Sequence, residues 1–206
     1  MLEQYKVQIS EMGKHIYQIG LTAMYSGNLS ARDKESGLIA IKPSGIPWDQ
    51  IMPDDVVIVD EHGKLVEGRR KPSIETPMHT AVYRNFPDVH GVAHTHSKHA
   101  TAFCVARKPI PVVCVNSVEM GGEIRVMPFV PPGDMHQIEK TIVDGLQSRK
   151  AMLLSAHGAL AVGADLEEAI HISKTLEEIA ELVLLSRLAG GEVALSQEEF
   201  DSVAAL

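Results

Sequence analysis

Gly91-Val92-Ala93-His94-Thr95-His96-Ser97-Lys98-His99-Ala100 is an apolar run that ends in two histidines and passes at once into helix-forming residues. Val89 to His94 reads as a short buried strand and Lys98 to Ala106 as a helix, so the histidines sit at a strand-to-helix joint. On an extended strand, residues two apart point to one face, and the imidazoles of His94 and His96 can converge on a single cation. A third histidine would complete a set of neutral nitrogen ligands suited to Zn²⁺, with a position left for water or substrate. The pattern points to a catalytic metal site, not a closed structural one.

A second strand of the same kind lies downstream. Ala151-Met152-Leu153-Leu154 is apolar and delivers Ser155-Ala156-His157-Gly158 at its end. A glycine directly after His157 lets backbone and substrate approach closely, and ligands placed at strand ends are held rigidly. Other metal families built on a paired histidine fit poorly. A cupin needs a glutamate a few residues later, which Ser97 to Thr101 does not supply, and an HxHxDH hydrolase needs an aspartate where Lys98 stands. His99, three residues after His96, is either a further ligand or a partner of one, or, on the expected helix, faces away from the cation.

The 206 residues are enough for one well-buried core, and no linker or charge block divides them, so residues 1–206 are expected to form a single domain. A formal charge of −8 and a pI near 5.7 argue against nucleic-acid binding, since no segment gathers the cations that a phosphate backbone requires. Gly68-Arg69-Arg70-Lys71 is the one basic cluster, either a solvated loop or an attractor for a small anion. Met1 to Gly20 carries charges throughout and reads as an amphipathic helix, not a secretory leader, and no apolar run approaches the ~20 residues of a membrane span. Cys104 and Cys114 lie on apolar segments without metal-type spacing, as buried thiols of a reducing compartment would. A cytoplasmic protein with no membrane partner is expected.

Gly37 to Ile41 alternates into a strand that breaks at Lys42-Pro43-Ser44-Gly45, and Asp55 to Asp60 with Leu65-Val66 forms a hairpin. Helical spacing runs from Glu75 to Phe86, from Gly133 to Ser148 and from Glu198 to Ala205, with strands expected near Pro111–Val115 and Arg125–Phe129. Asp165 with Glu168 opens a long helix whose apolar stripe is Leu166, Ala169, Ile172, Leu176, Ile179 and Val183. Strands joined both by hairpins and by helical crossovers predict a three-layer α/β/α fold with a central mixed, largely antiparallel sheet.

Three short loops, Ser26-Gly27-Asn28, Pro43-Ser44-Gly45 and Pro72-Ser73, offer backbone N–H groups and small polar side chains beside Gly or Pro. Such loops can form a nest for phosphate oxygens, or be ordinary turns. Glu75, just after the third loop, is either a first-turn glutamate favoured by the helix dipole or a carboxylate facing the metal that exchanges protons with substrate.

Together these segments resemble the class II aldolase/adducin family. The resemblance rests on SGNLSAR (Ser26–Arg32), KPSG (Lys42–Gly45), KPSIETPMH (Lys71–His79), HTHSKHATA (His94–Ala102) and AHG (Ala156–Gly158), in family order over most of the chain. It implies zinc on His94, His96 and His157, an acid/base carboxylate at Glu75, and a substrate phosphate held by Asn28, Ser44, Gly45 and Ser73. It also implies a homotetramer with active sites at subunit interfaces. The activity implied is zinc-dependent cleavage of a phosphorylated ketose resembling L-fuculose 1-phosphate into dihydroxyacetone phosphate and an aldehyde. Epimerisation of a sugar phosphate such as L-ribulose 5-phosphate, or decarboxylation of a phosphorylated 3-oxo sugar acid, would use the same enediolate chemistry. A non-enzymatic adducin-like module would have lost the histidines, which are present here. The chain departs from the family at Ile74, where a second serine is usual. It also lacks a tyrosine near Val115 and another near the C-terminus. Glu119 aligns with a second acidic residue of the epimerases.

Overall fold

The computed structural model describes residues 1–131 and 134–205. Along the chain come α1 (Glu3–Gln18), β1 (Asn28–Arg32), β2 (Ile39–Ile41), β3 (Val57–Val59), β4 (Leu65–Glu67), α2 (Thr76–Asn85), β5 (Gly91–Thr95) and α3 (Lys98–Ala106). Then follow β6 (Val126–Met127), α4 (Met135–Leu146), β7 (Ala151–Leu154), β8 (Ala159–Gly163), α5 (Leu166–Leu188) and α6 (Gln197–Ala204). The strands form one sheet in the order β4-β3-β2-β1-β5-β8-β7-β6. Neighbours are antiparallel except β6 and β7, which are parallel, so the sheet is mixed and largely antiparallel as expected.

Strand periodicity divides the core between two faces. On β8, Ala159 and Ala161 pack with α3 and α5, whereas Leu160 and Val162 point to the side of α2 and α4. Likewise Ala40 of β2 joins the α1 side while Ile39 and Ile41 join α2. Small residues on one face let α5 lie close against the sheet, and both faces are dry, which explains why these strands are apolar throughout. The result is the three-layer arrangement. Every residue of the α5 stripe from Leu166 to Val183 is buried, and Asp165 caps the helix by accepting from the Glu168 N–H at 2.8 Å.

Two expected elements change. Pro111 to Val115 forms no strand; Ile110 makes an isolated bridge to Ile124, and a 3₁₀ turn over Val115–Met120 follows. Pro111 lacks a ladder donor, and the Ser117 hydroxyl accepts from the N–H groups of Val113 and Cys114, at 3.0 Å each, in place of a strand partner. The expected strand at Arg125–Phe129 shrinks to Val126–Met127. The expected helix start at Gly133 lies outside the described residues; Asp134 caps α4, accepting from Gln137 N–H at 3.0 Å.

Candidate active site

Antiparallel pairing of β1 with β5 sets Asn28 opposite His94. His94 is the penultimate residue of β5 and fully buried; His96 lies one residue past the strand end, and His157 stands in the turn between β7 and β8. Only one member of the expected pair is therefore in the strand, yet the two rings converge, with their Nε2 atoms 2.9 Å apart. The His157 ring centroid lies 4.7 Å from that of His94 and 5.0 Å from that of His96. His94 Nδ1 is 2.9 Å from the Ala159 carbonyl, to which it donates, and this bond aims Nε2 at its neighbours.

Gly158 permits this convergence. A Cβ there would stand 2.5 Å from the Thr95 carbonyl oxygen, 3.0 Å from His96 Cδ2 and 3.2 Å from His94 Cε1. Gly27 plays a matching part before Asn28: its φ of +72° is left-handed, and a Cβ would lie 2.7 Å from the His94 carbonyl oxygen.

Glu75 occupies the N-cap position of α2 without capping it. Its Oε1 lies 2.9 Å from His157 Nε2 and 3.4 Å from His94 Nε2. One ligand atom from each of Glu75, His94, His96 and His157 lies within 4.8 Å of all the others. Burial alone would raise the carboxyl's pKa. The charge of His94 and hydrogen bonds from His157, His94 and Asn28 outweigh that effect and hold it well below the usual carboxylate range. Burial, then the neighbouring His94 and His157, lower His96 to about 4, so it is a neutral donor at pH 7. Three imidazole nitrogens with an ionised carboxylate are a donor set that fits a divalent cation.

The other Glu75 oxygen, Oε2, accepts from Asn28 Nδ2, which also lies 3.3 Å from Ser73 Oγ. The Pro43-Ser44-Gly45 loop is joined to the Pro72-Ser73 loop by a bridge between Pro43 and Pro72, by Ser44 N–H to the Lys71 carbonyl at 3.0 Å, and by Ser44 Oγ to the Pro72 carbonyl at 3.1 Å. Gly45, beside them, is left-handed and exposed. Asn28 and Ser73 thus stand beside Glu75, and the Ser44–Gly45 loop is tied to the Lys71–Pro72 segment that precedes Ser73. Ser26 does not join them; its hydroxyl turns back to the Ala23 carbonyl at 2.8 Å. In the basic cluster, Arg70 pairs with Asp55 at 2.6 Å. His99 lies 2.9 Å from Glu177, and Glu119 lies 3.1 Å from His171; neither residue belongs to the four-residue cluster.

Two residues of the site escaped the sequence reading. Lys42 is 3% exposed although it is a lysine. Its ammonium reaches the Tyr25 carbonyl at 3.3 Å and lies 4.7 Å from the Trp48 ring; burial lowers its pKa to about 8 against the pull of Glu75. His79 is wholly buried behind Asn28, a position that only its four-residue spacing from Glu75 hinted at.

A histidine cluster at the ends of strands with a facing carboxylate on an α/β/α scaffold defines a metalloenzyme-type centre. Residues 7–184 match the family described as class II aldolase and adducin N-terminal domain. A 5-deoxy-D-ribulose 1-phosphate aldolase of Bacillus thuringiensis serovar kurstaki is 31% identical over 99% of the chain and 95% of its own length. An L-ribulose-5-phosphate 4-epimerase of Salmonella paratyphi B is 32% identical over 90% of the chain and 86% of its own length. Among solved structures, an L-fuculose 1-phosphate aldolase superposes with a TM-score of 0.91 at 32% identity, over 98% of this chain and 95% of that one. The chain belongs to the class II aldolase/adducin family. Class II aldolases are lyases that use a divalent metal, and the histidine–glutamate cluster is where one could be held.

Proposed function

We propose that the protein, acting as one domain over residues 1–206, is a zinc-dependent aldolase that cleaves a phosphorylated ketose to dihydroxyacetone phosphate and an aldehyde. The observation that carries this reading is the bridging position of Glu75, with one oxygen among the histidine nitrogens and the other on Asn28 of the anion loops. His94, His96 and His157 would hold the metal. When bound, Zn²⁺ supplies Lewis-acid stabilisation of the negative charge that develops on the substrate's oxygens.

Asn28, Ser44, Gly45 and Ser73 bind the substrate phosphate, and the buried Lys42 ammonium adds the positive charge that such a pocket needs. Held there, the ketose places its reacting carbons between the phosphate pocket and the histidines. Loss of the C4 hydroxyl proton allows the C3–C4 bond to break, releasing the aldehyde and leaving an enediolate on the phosphorylated fragment. Glu75, which takes up a proton from solvent in exchange for the one that the C4 hydroxyl loses to it, delivers that proton to C3 of the enediolate, giving dihydroxyacetone phosphate and returning to its resting carboxylate. A homotetramer with interfacial sites agrees with the 39% exposure of the His157 side chain and the 85% exposure of Ile74 beside Glu75, which one chain alone leaves open. No helix among the described residues is long and apolar enough to cross a membrane, in keeping with a cytoplasmic enzyme.

The identity shared with the Salmonella epimerase favours epimerisation as a second reading. Incubation with L-fuculose 1-phosphate, 5-deoxy-D-ribulose 1-phosphate, L-ribulose 5-phosphate and, separately, a phosphorylated 3-oxo sugar acid, with products identified by NMR, separates these readings. Dihydroxyacetone phosphate with an aldehyde is expected. An epimer without cleavage, or carbon dioxide from a phosphorylated 3-oxo sugar acid as the only product, would overturn the aldolase assignment.

A further inference from the structure

Behind the anion loops, a polar seam runs through otherwise apolar packing. Asn28, Ser30 and Arg32 share one face of β1 by the two-residue strand period, and Glu75, His79 and Tyr83 stand four apart at the start of and along α2. The two rows meet. Tyr83 Oη is 2.8 Å from Ser30 Oγ, Ser30 Oγ is 2.6 Å from His79 Nδ1, and His79 Nε2 contacts Asn28 Oδ1. Asn28 Nδ2 then reaches Glu75 and Ser73. Ser30 and His79 have no solvent exposure and Tyr83 only 2%, so no water can substitute for a missing partner.

Donor and acceptor bookkeeping fixes the direction of this seam. Asn28 turns its NH₂ group to Glu75 Oε2 and Ser73 Oγ, which leaves Asn28 Oδ1 facing His79 as an acceptor. Nε2 of His79 therefore carries a proton. Burial, reinforced by the charge of His94, lowers His79 to about 3, so the ring is neutral and Nδ1 has a lone pair. That lone pair accepts from the Ser30 hydroxyl, and Ser30 Oγ in turn accepts from Tyr83, which burial keeps protonated by raising its pKa. An Asn28 amide turned over would set its oxygen against the Glu75 carboxylate and its NH₂ against the Nε2–H of His79.

We propose that His79, backed by Ser30 and Tyr83, is a positioning residue whose Nε2–H locks the Asn28 amide so that both its protons face Glu75 and the phosphate pocket. The inference rests on the phosphate-pocket reading for its functional consequence, but not for its chemistry. It also explains a histidine that touches neither the metal cluster nor solvent: a neutral imidazole is the one side chain that offers a rigid donor and acceptor at opposite edges of a ring.

The test has two parts on the full-length, zinc-supplied protein. Long-range ¹H–¹⁵N correlation of the imidazoles should show His79 as the Nε2–H tautomer; an Nδ1–H tautomer or a doubly protonated ring would overturn the inference. Two variants then separate the ring's edges, because a glutamine amide reaches the place of Nε2 and an asparagine amide that of Nδ1. With inorganic phosphate as the titrant, His79→Asn should weaken binding by about tenfold, the loss of one buried donor, while His79→Gln stays within about threefold of the parent. Equal losses in the two variants at matched thermal stability would reduce His79 to packing and overturn the proposal. If the parent protein binds no phosphate, the pocket reading fails, and the tautomer still decides the role of His79.

Discussion

Glu75 Oε1 stands 2.9 Å from Nε2 of His157, although Glu75 begins α2 and His157 lies in the β7–β8 turn. A glutamate at a helix start is ordinarily favoured by the dipole, but this one makes no capping bond. If it moves the proton at the enediolate, Glu75→Gln should retain the fold and metal while kcat falls by ~10²–10⁴-fold. Solvent deuterium incorporation into dihydroxyacetone phosphate should fall with it. Unchanged exchange and turnover would return Glu75 to a structural role and direct attention to Glu119.

The anion loops make a separable prediction. Ser73→Ala and Lys42→Met should mainly raise KM and weaken competition by inorganic phosphate, because contacts to a remote group act equally in ground and transition states. Steady-state kinetics with a phosphorylated ketose and its dephosphorylated form would check this. Equal kcat/KM for the two forms would argue against the pocket.

Much of this arrangement could be read from the chain. Alternation in β2, the apolar runs of β5 and β7 and the α5 stripe gave the layers, and HTH with AHG gave the histidines, because both depend on local period and on glycine chemistry. What escaped depends on which elements meet. Nothing local links Ser30, His79 and Tyr83 until β1 is laid against α2, and Lys42 looked like a loop lysine because nothing local buries it. The false strand at Pro111–Val115 came from weighing apolar character above the missing N–H of Pro111 and the turn-forming hydroxyl of Ser117.

Gly158→Ala tests the packing of the histidines. A methyl group 2.5 Å from the Thr95 carbonyl cannot be accommodated without moving the strand end, at a cost of about 1–3 kcal/mol by the usual scale of overpacking. Metal retention and thermal stability should fall together. A variant with parental stability and metal content would show that the β7–β8 turn yields without disturbing the cluster.

His79 predicts part of the stability's dependence on pH. Its pKa is about 3 in the fold against an ordinary 6.5, so between those values the unfolded chain binds the extra proton. The contribution is fully present above about pH 6.5 and is lost as pH falls toward 3. Chemical denaturation across that range should give a shallower acid loss for His79→Gln than for the parent. Parallel profiles would mean that the imidazole is not held neutral.

Binding and catalysis as proposed both require the three histidines to act as one metal site. Elemental analysis of gently purified protein, and of variants with His94, His96 and His157 changed to alanine singly and together, tests this directly. One zinc per chain is predicted for the parent, with a large loss in each single variant, none retained in the triple variant and little change in helical content. Stoichiometric zinc in the triple variant, or a parent protein that binds no divalent metal, would show that these histidines are not a metal site.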